Sequence, residues 1–132
     1  MAISKILVGT SAAGGPDQVL QAAAELASTY RAELVILQVE PAVDARNLFD
    51  PDGVPDPVSP VAPLTDEFPG LRVRARRARG SAVRTVCEAA AAERPDLVVV
   101  PSGRAGRRAL LSNRASRDLV NRVACPVVLV AS

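Results

Sequence analysis

Apolar residues fall along this chain in two rhythms. Mainly apolar runs at 3–9, 33–39, 96–100 and 127–130 are rich in Val, Ile and Leu, as strands buried on both faces of a parallel sheet are. Between them, apolar residues recur every three or four positions, which is the helical period. Val19, Leu20, Ala23, Leu26, Ala27 and Tyr30 form one such stripe. Val83, Val86, Cys87, Ala90 and Ala91 form a second, and Ala115, Leu119, Val120 and Val123 a third. The boundaries carry matching signals. Pro16 and Asp17 suit a first helical turn, Ser81 and either Ser112 or Asn113 are helix caps, and Pro95, Pro101 and Pro126 bracket strands. Alternating strands and helices predict a single doubly wound α/β domain over 1–132, with a parallel sheet, helices on both faces and right-handed crossovers.

Two stretches break this rhythm. Residues 41–69 hold seven of the eleven prolines together with Asp44, Asp50, Asp52, Asp56, Asp66 and Glu67. Residues 42–48 could form a turn or two of helix; beyond them, prolines every two to six residues predict an irregular acidic loop. Residues 71–77 alternate apolar and basic, which predicts a strand near a sheet edge with one solvated face. Its arginines, Arg72, Arg74, Arg76, Arg77 and Arg79, are expected to pair with the acidic loop just before them. The alternative, a nucleic-acid patch, lacks the aromatic side chains on which bases stack, so no nucleic-acid partner is expected.

Composition narrows the chemistry. Histidine is absent, which removes His-based triads, His general bases and most zinc sites. Net charge is +2 over 132 residues, too small to imply a nucleic-acid or membrane partner. Cys87 and Cys125 are isolated within apolar segments and read as small packing residues. No apolar run approaches ~18 residues and no signal-peptide core opens the chain, so a soluble cytoplasmic protein is expected.

The most informative segment is 95–130, where strand, glycine loop, helix and strand make one βαβ unit. Gly103 and Gly106 follow the buried run 96–100, and glycines there let backbone N–H groups approach an anion at a helix start. Asn113 tolerates the left-handed conformation that glycine takes freely. Arg114 could meet a phosphate by charge, whereas Pro101 takes one N–H out of the cradle. Thr10, Ser11, Ser102 and Ser112 are hydroxyls without an activating base in sight, so turn and cap hydrogen bonds are expected of them and no enzyme.

The run V-P-S-G-R-A-G-R-R-A-L-L-S-N-R, with A-C-P-V-V-L-V after it, resembles the C-terminal half of the universal stress protein family. K-I-L-V-G-T and A-E-L-V-I-L-Q-V-E-P resemble that family's first two strands. The family's ATP loop reads G-x2-G-x9-G-[ST]. Here Gly103 takes the second glycine, Asn113 the third and Arg114 the Ser/Thr, while the first falls within Val100, Pro101 and Ser102. An acidic residue that usually follows the first strand is replaced by Ser11, Ala12 and Ala13. The resemblance implies strand order 3-2-1-4-5 and a second helix within 41–69. It implies an adenine nucleotide, ATP or another, against Gly9, Thr10, Ser11, Val39, Gly80, Ser102, Gly103, Gly106, Asn113 and Arg114. It also implies a homodimer paired along Val127, Val128, Leu129 and Val130. With the loop so altered, the expected function is a regulatory interaction module of the stress response that binds ATP weakly or not at all and acts on a protein partner. A nucleotide-binding regulator is the alternative, and a slow ATPase has only the fold in its favour.

Overall fold

The computed structural model describes residues 2–11, 18–40, 59–101 and 113–130. In chain order these form β1 (Lys5–Ser11), α1 (Gln18–Tyr30), β2 (Glu33–Glu40), α2 (Val61–Glu67), β3 (Val73–Arg79), α3 (Ala82–Glu93), β4 (Leu97–Pro101), α4 (Asn113–Arg122) and β5 (Val127–Val130). The five strands are parallel and lie in the order β3-β2-β1-β4-β5. β1 is central because its run is apolar on both faces: Ile6 and Val8 face one side and Leu7 the other, all without exposed surface.

Each face carries its own core. α1 and α2 cover one through Val19, Ala23, Ala24, Ala27 and Leu64, packed on Ile6, Val8, Leu34, Ile36, Leu97 and Val99. α3 and α4 cover the other through Val86, Ala89 and Leu119, packed on Leu7, Val35, Leu37, Val39, Val98 and Val100. Small residues on α1 bring that helix close to the sheet, as a core almost without aromatic side chains requires.

The helical stripes are right in phase and wrong at their rims. Tyr30, Ala91 and Val120 are exposed, while Ala24, Ala89 and Ser116 are buried in their place. α3 opens as expected: the Arg84 N–H donates to Ser81 Oγ at 3.3 Å. It closes on Arg94 in the left-handed conformation, φ 52°, just before Pro95.

The acidic proline-rich region needs a correction. Residues 61–67, within the stretch expected to be irregular, form α2. Pro60 caps the helix and Pro63 lies in its first turn, where backbone N–H groups have no intrahelical acceptor for proline to deprive. Leu64 and Phe68, four apart, seat it on the α1-side core. The reading of 41–58 lies outside the described residues. β3 begins two residues later than expected, because Pro69 and Gly70 (φ 86°) turn the chain and Leu71 N–H closes that turn on Phe68 O.

The basic run finds acids other than those of the loop before it, whose Asp44, Asp50, Asp52 and Asp56 lie outside the described residues. Among the described residues its partners are Glu33 and Glu40 on β2 and Glu93 at the end of α3. Parallel pairing sets β3 beside β2, so acids distant in sequence become its neighbours. No helix among the described residues is long and apolar enough to cross a membrane.

Candidate functional site

Strand order places a switch between β1 and β4, where successive crossovers leave in opposite directions. In open parallel sheets ligands bind there, outside the carboxyl ends of the strands. The ladder has a local feature at this point. β1 pairs with β2 through Ser11↔Val39, but with β4 only from Ile6↔Leu97 to Val8↔Val99. Beyond Val8 the pairing of the two central strands stops, where Pro101 brings no N–H to the ladder, and Thr10 is buried two residues further along β1.

Of the residues expected at a nucleotide site, Gly9, Thr10, Ser11, Val39 and Gly80 come together along this one edge of the sheet. Gly80 has φ 134°, a conformation that side chains disfavour, and its N–H donates to Glu40 O at 3.0 Å. An added Cβ would meet Thr85 Cγ2 at an ordinary 3.6 Å, so the backbone turn, not crowding, calls for glycine. α4 begins at Asn113. Arg114, in its first turn, is exposed and lines a cavity of about 440 Å³ with Val83, Ala115 and Asp118. Asp118 is bonded instead to Arg122, at 3.0 Å. Ser102, Gly103 and Gly106 lie outside the described residues.

Sequence reading missed one part of this edge. Glu40, the last residue of β2, receives both Arg77 and Arg79 from β3. The Arg79 hydrogen bond, with that of Arg77, holds the Glu40 carboxyl below the usual carboxylate range against the opposing effect of burial. The signal was present as arginines two apart on an alternating strand and an acid closing the strand before it. Only the register, Glu40↔Arg79, joins them.

The cysteines are not part of this edge. Both are partly buried and line a separate cavity of about 350 Å³ beside the C-terminal ends of α3 and α4. Burial pushes both thiols above their ordinary pKa, which suits packing residues better than nucleophiles.

A parallel sheet with helices on both faces, its strand order reversing between β1 and β4, defines the doubly wound α/β class. Within that class the assignment is specific. The family model for the universal stress protein family matches residues 2–131, and the chain belongs to that family. Solved structures share the fold. A universal stress protein in complex with cAMP is 20% identical at a TM-score of 0.66, over 99% of this chain and 98% of the other. The universal stress protein UspA from Lactobacillus plantarum is 13% identical at 0.69, over 98% and 99%. A family member from Arabidopsis thaliana with AMP bound is 18% identical at 0.61, over 97% and 90%. Comparison with curated proteins gave no match.

Proposed function

We propose that this protein is a dimeric, non-catalytic regulatory module of the stress response that holds an adenine nucleotide weakly where the pairing of β1 and β4 stops, and that works through contact with a protein partner. The observation that carries this reading is the early end of the β1–β4 ladder at Val8↔Val99, beside a β1–β2 ladder that continues to Ser11↔Val39. Relatives with the same fold hold cAMP and AMP. Weak affinity for ATP follows from the residues that stand at the family's ligand positions: Ser11 brings no carboxylate, Pro101 no N–H, and Arg114 no hydroxyl. Each lost contact is worth about 1–3 kcal/mol, which together place ATP dissociation above the micromolar range.

Calorimetry with ATP, ADP and AMP, with and without magnesium, tests this. Affinities weaker than micromolar are expected, whereas ATP retained through gel filtration would refute the weak-binding reading. Arg114→Ala should weaken any nucleotide more than Arg72→Ala does. Arg72 precedes β3 at the opposite edge of the sheet and serves as the control.

Dimerisation is proposed along β5, which ends the sheet. Val128 and Val130 lean on the α1-side core and Val127 on the other, while Leu129 is 45% exposed. Leu129→Lys therefore adds charge without emptying a core position. Light scattering should give a dimer for the native chain and a monomer for this variant. A native chain that stays monomeric at tens of micromolar would exclude pairing through β5.

A further inference from the structure

The end of β3 presents two guanidinium groups drawn over one carboxylate. Arg77 and Arg79, two apart, share a face of the strand, opposite Gln38 and Glu40 of β2. Arg77 Nε and Nη2 donate to Glu40 Oε1 at 3.1 and 2.7 Å, and Arg79 Nη2 donates to Oε2 at 3.2 Å. Both carboxylate oxygens are thereby occupied, yet most guanidinium N–H groups have no acceptor among the described residues. The cluster keeps one positive charge in excess.

Its placement matters as much as its charge. An edge strand's arginines can extend outward into water. These two turn inward, over the carboxyl end of β2, and remain half-exposed there. The pairing itself adds little to stability, since ion pairs this open to water are worth about 0–1 kcal/mol. What Glu40 does supply is orientation: two planar donor forks held in place, an arrangement suited to phosphate.

The spacing points to what such a fork would meet. Neighbouring strands lie about 4.8 Å apart, so the end of β2 is roughly 7–10 Å from the switch between β1 and β4. That is comparable to the separation of two phosphates on different positions of one ribose. We propose that Arg77 and Arg79 form a second anion subsite at the carboxyl edge of the sheet. The ligand class that fits is an adenine nucleoside bisphosphate, with its phosphates at separate positions, in preference to a nucleotide with one phosphate or a linear triphosphate. This rests on the proposed nucleotide site between β1 and β4 and deepens it. The missing triphosphate contacts near Ser11 and Pro101 and the added charge at Glu40 both favour such a ligand.

The test is calorimetry of the full chain with AMP, ATP and adenosine 3′,5′-bisphosphate at one fixed ionic strength. The native protein should bind the bisphosphate about ten-fold or more tighter than AMP. In the Arg77→Gln/Arg79→Gln double variant that preference should vanish while AMP affinity holds within about two-fold. A thermal midpoint for the variant checks that it folds, as two half-exposed side chains allow. Equal binding of AMP and bisphosphate by the native chain overturns the subsite and leaves the nucleotide site standing, as does a preference that survives the double substitution. Absence of binding by all three ligands overturns both.

Discussion

Replacing Leu119 by alanine is expected to lower the unfolding free energy by about 3–4 kcal/mol, within the range for fully buried leucines. α4 is a polar helix, NRASRDLVNR, and Leu119 is its one large side chain without exposed surface. Its other inward residues are smaller or at the rim: Ser116 is buried, while Ala115 and Val123 are only partly covered. A cavity opened at Leu119 has little around it on α4 that could move in to fill it. The same change should loosen the helix that carries Arg114, so hydrogen exchange along 113–122 should rise along with the fall in the urea midpoint. Val120 provides the contrast. It sits beside Leu119 on the same apolar stripe in sequence, yet is 47% exposed, so Val120→Ala should cost no more than about 0.5 kcal/mol. Equal losses for the two variants would mean that α4 is seated differently.

Acid is expected to destabilise the native protein more steeply than a Glu93→Gln variant. Glu93 has a side chain 10% exposed and gathers three cations. Arg74 donates through Nη1 and Nη2 at 2.8 and 2.6 Å, Arg76 through Nη1 at 2.9 Å and Lys5 through Nζ at 3.3 Å. The Arg74 hydrogen bonds are the largest influence and, with Arg76 and Lys5, hold the Glu93 carboxyl at about 2, against an ordinary 4.5. A carboxyl pKa depressed by folding stabilises the protein fully above its unfolded value. That stability is lost as pH falls from about 4.5 to about 2. The shift alone would correspond to roughly 3 kcal/mol. Arg74 and Arg76 are 46% and 38% exposed, so water screens the cluster and about 1–2 kcal/mol is expected. Urea midpoints measured across this pH window should fall for the native chain by that much more than for Glu93→Gln. Parallel pH profiles would remove Glu93 as the acid-sensitive group.

The sheet was legible because its inner strands are covered on both faces, which writes them into the sequence as mainly apolar runs. Helix phase was legible for the same reason, but the rim of each stripe was not. Whether Ala24 or Tyr30 lies inside depends on how closely α1 approaches the sheet, which periodicity does not record. α2 was implied by the resemblance but rejected on the residues, by treating proline as a breaker wherever it stands, although Pro63 occupies a first-turn position where its missing N–H costs nothing. The arginines of β3 were assigned to the nearest acids in sequence, because the partners Glu33 and Glu40 become neighbours only through strand order. The same holds for the site. Gly9, Thr10, Ser11, Val39 and Gly80 could be gathered by resemblance, whereas the Glu40 cluster needed the register of β2 against β3.

The two margins of the sheet differ in a way that limits how far it can grow. β3 carries Arg74, Arg77 and Arg79, partly exposed and drawn over the sheet by glutamates on β2 and α3, while β5 presents Val127 to Val130 without a charge. Charged margins resist the addition of another strand, and bare apolar ones accept it. A sheet able to add strands at both margins could propagate into a fibre; one open at a single margin is terminated by its first addition. In the dimer proposed through β5, the arginine–glutamate row on β3 would therefore act as a stop against further addition, and salt, which screens exposed charges, is the solution variable that would weaken it.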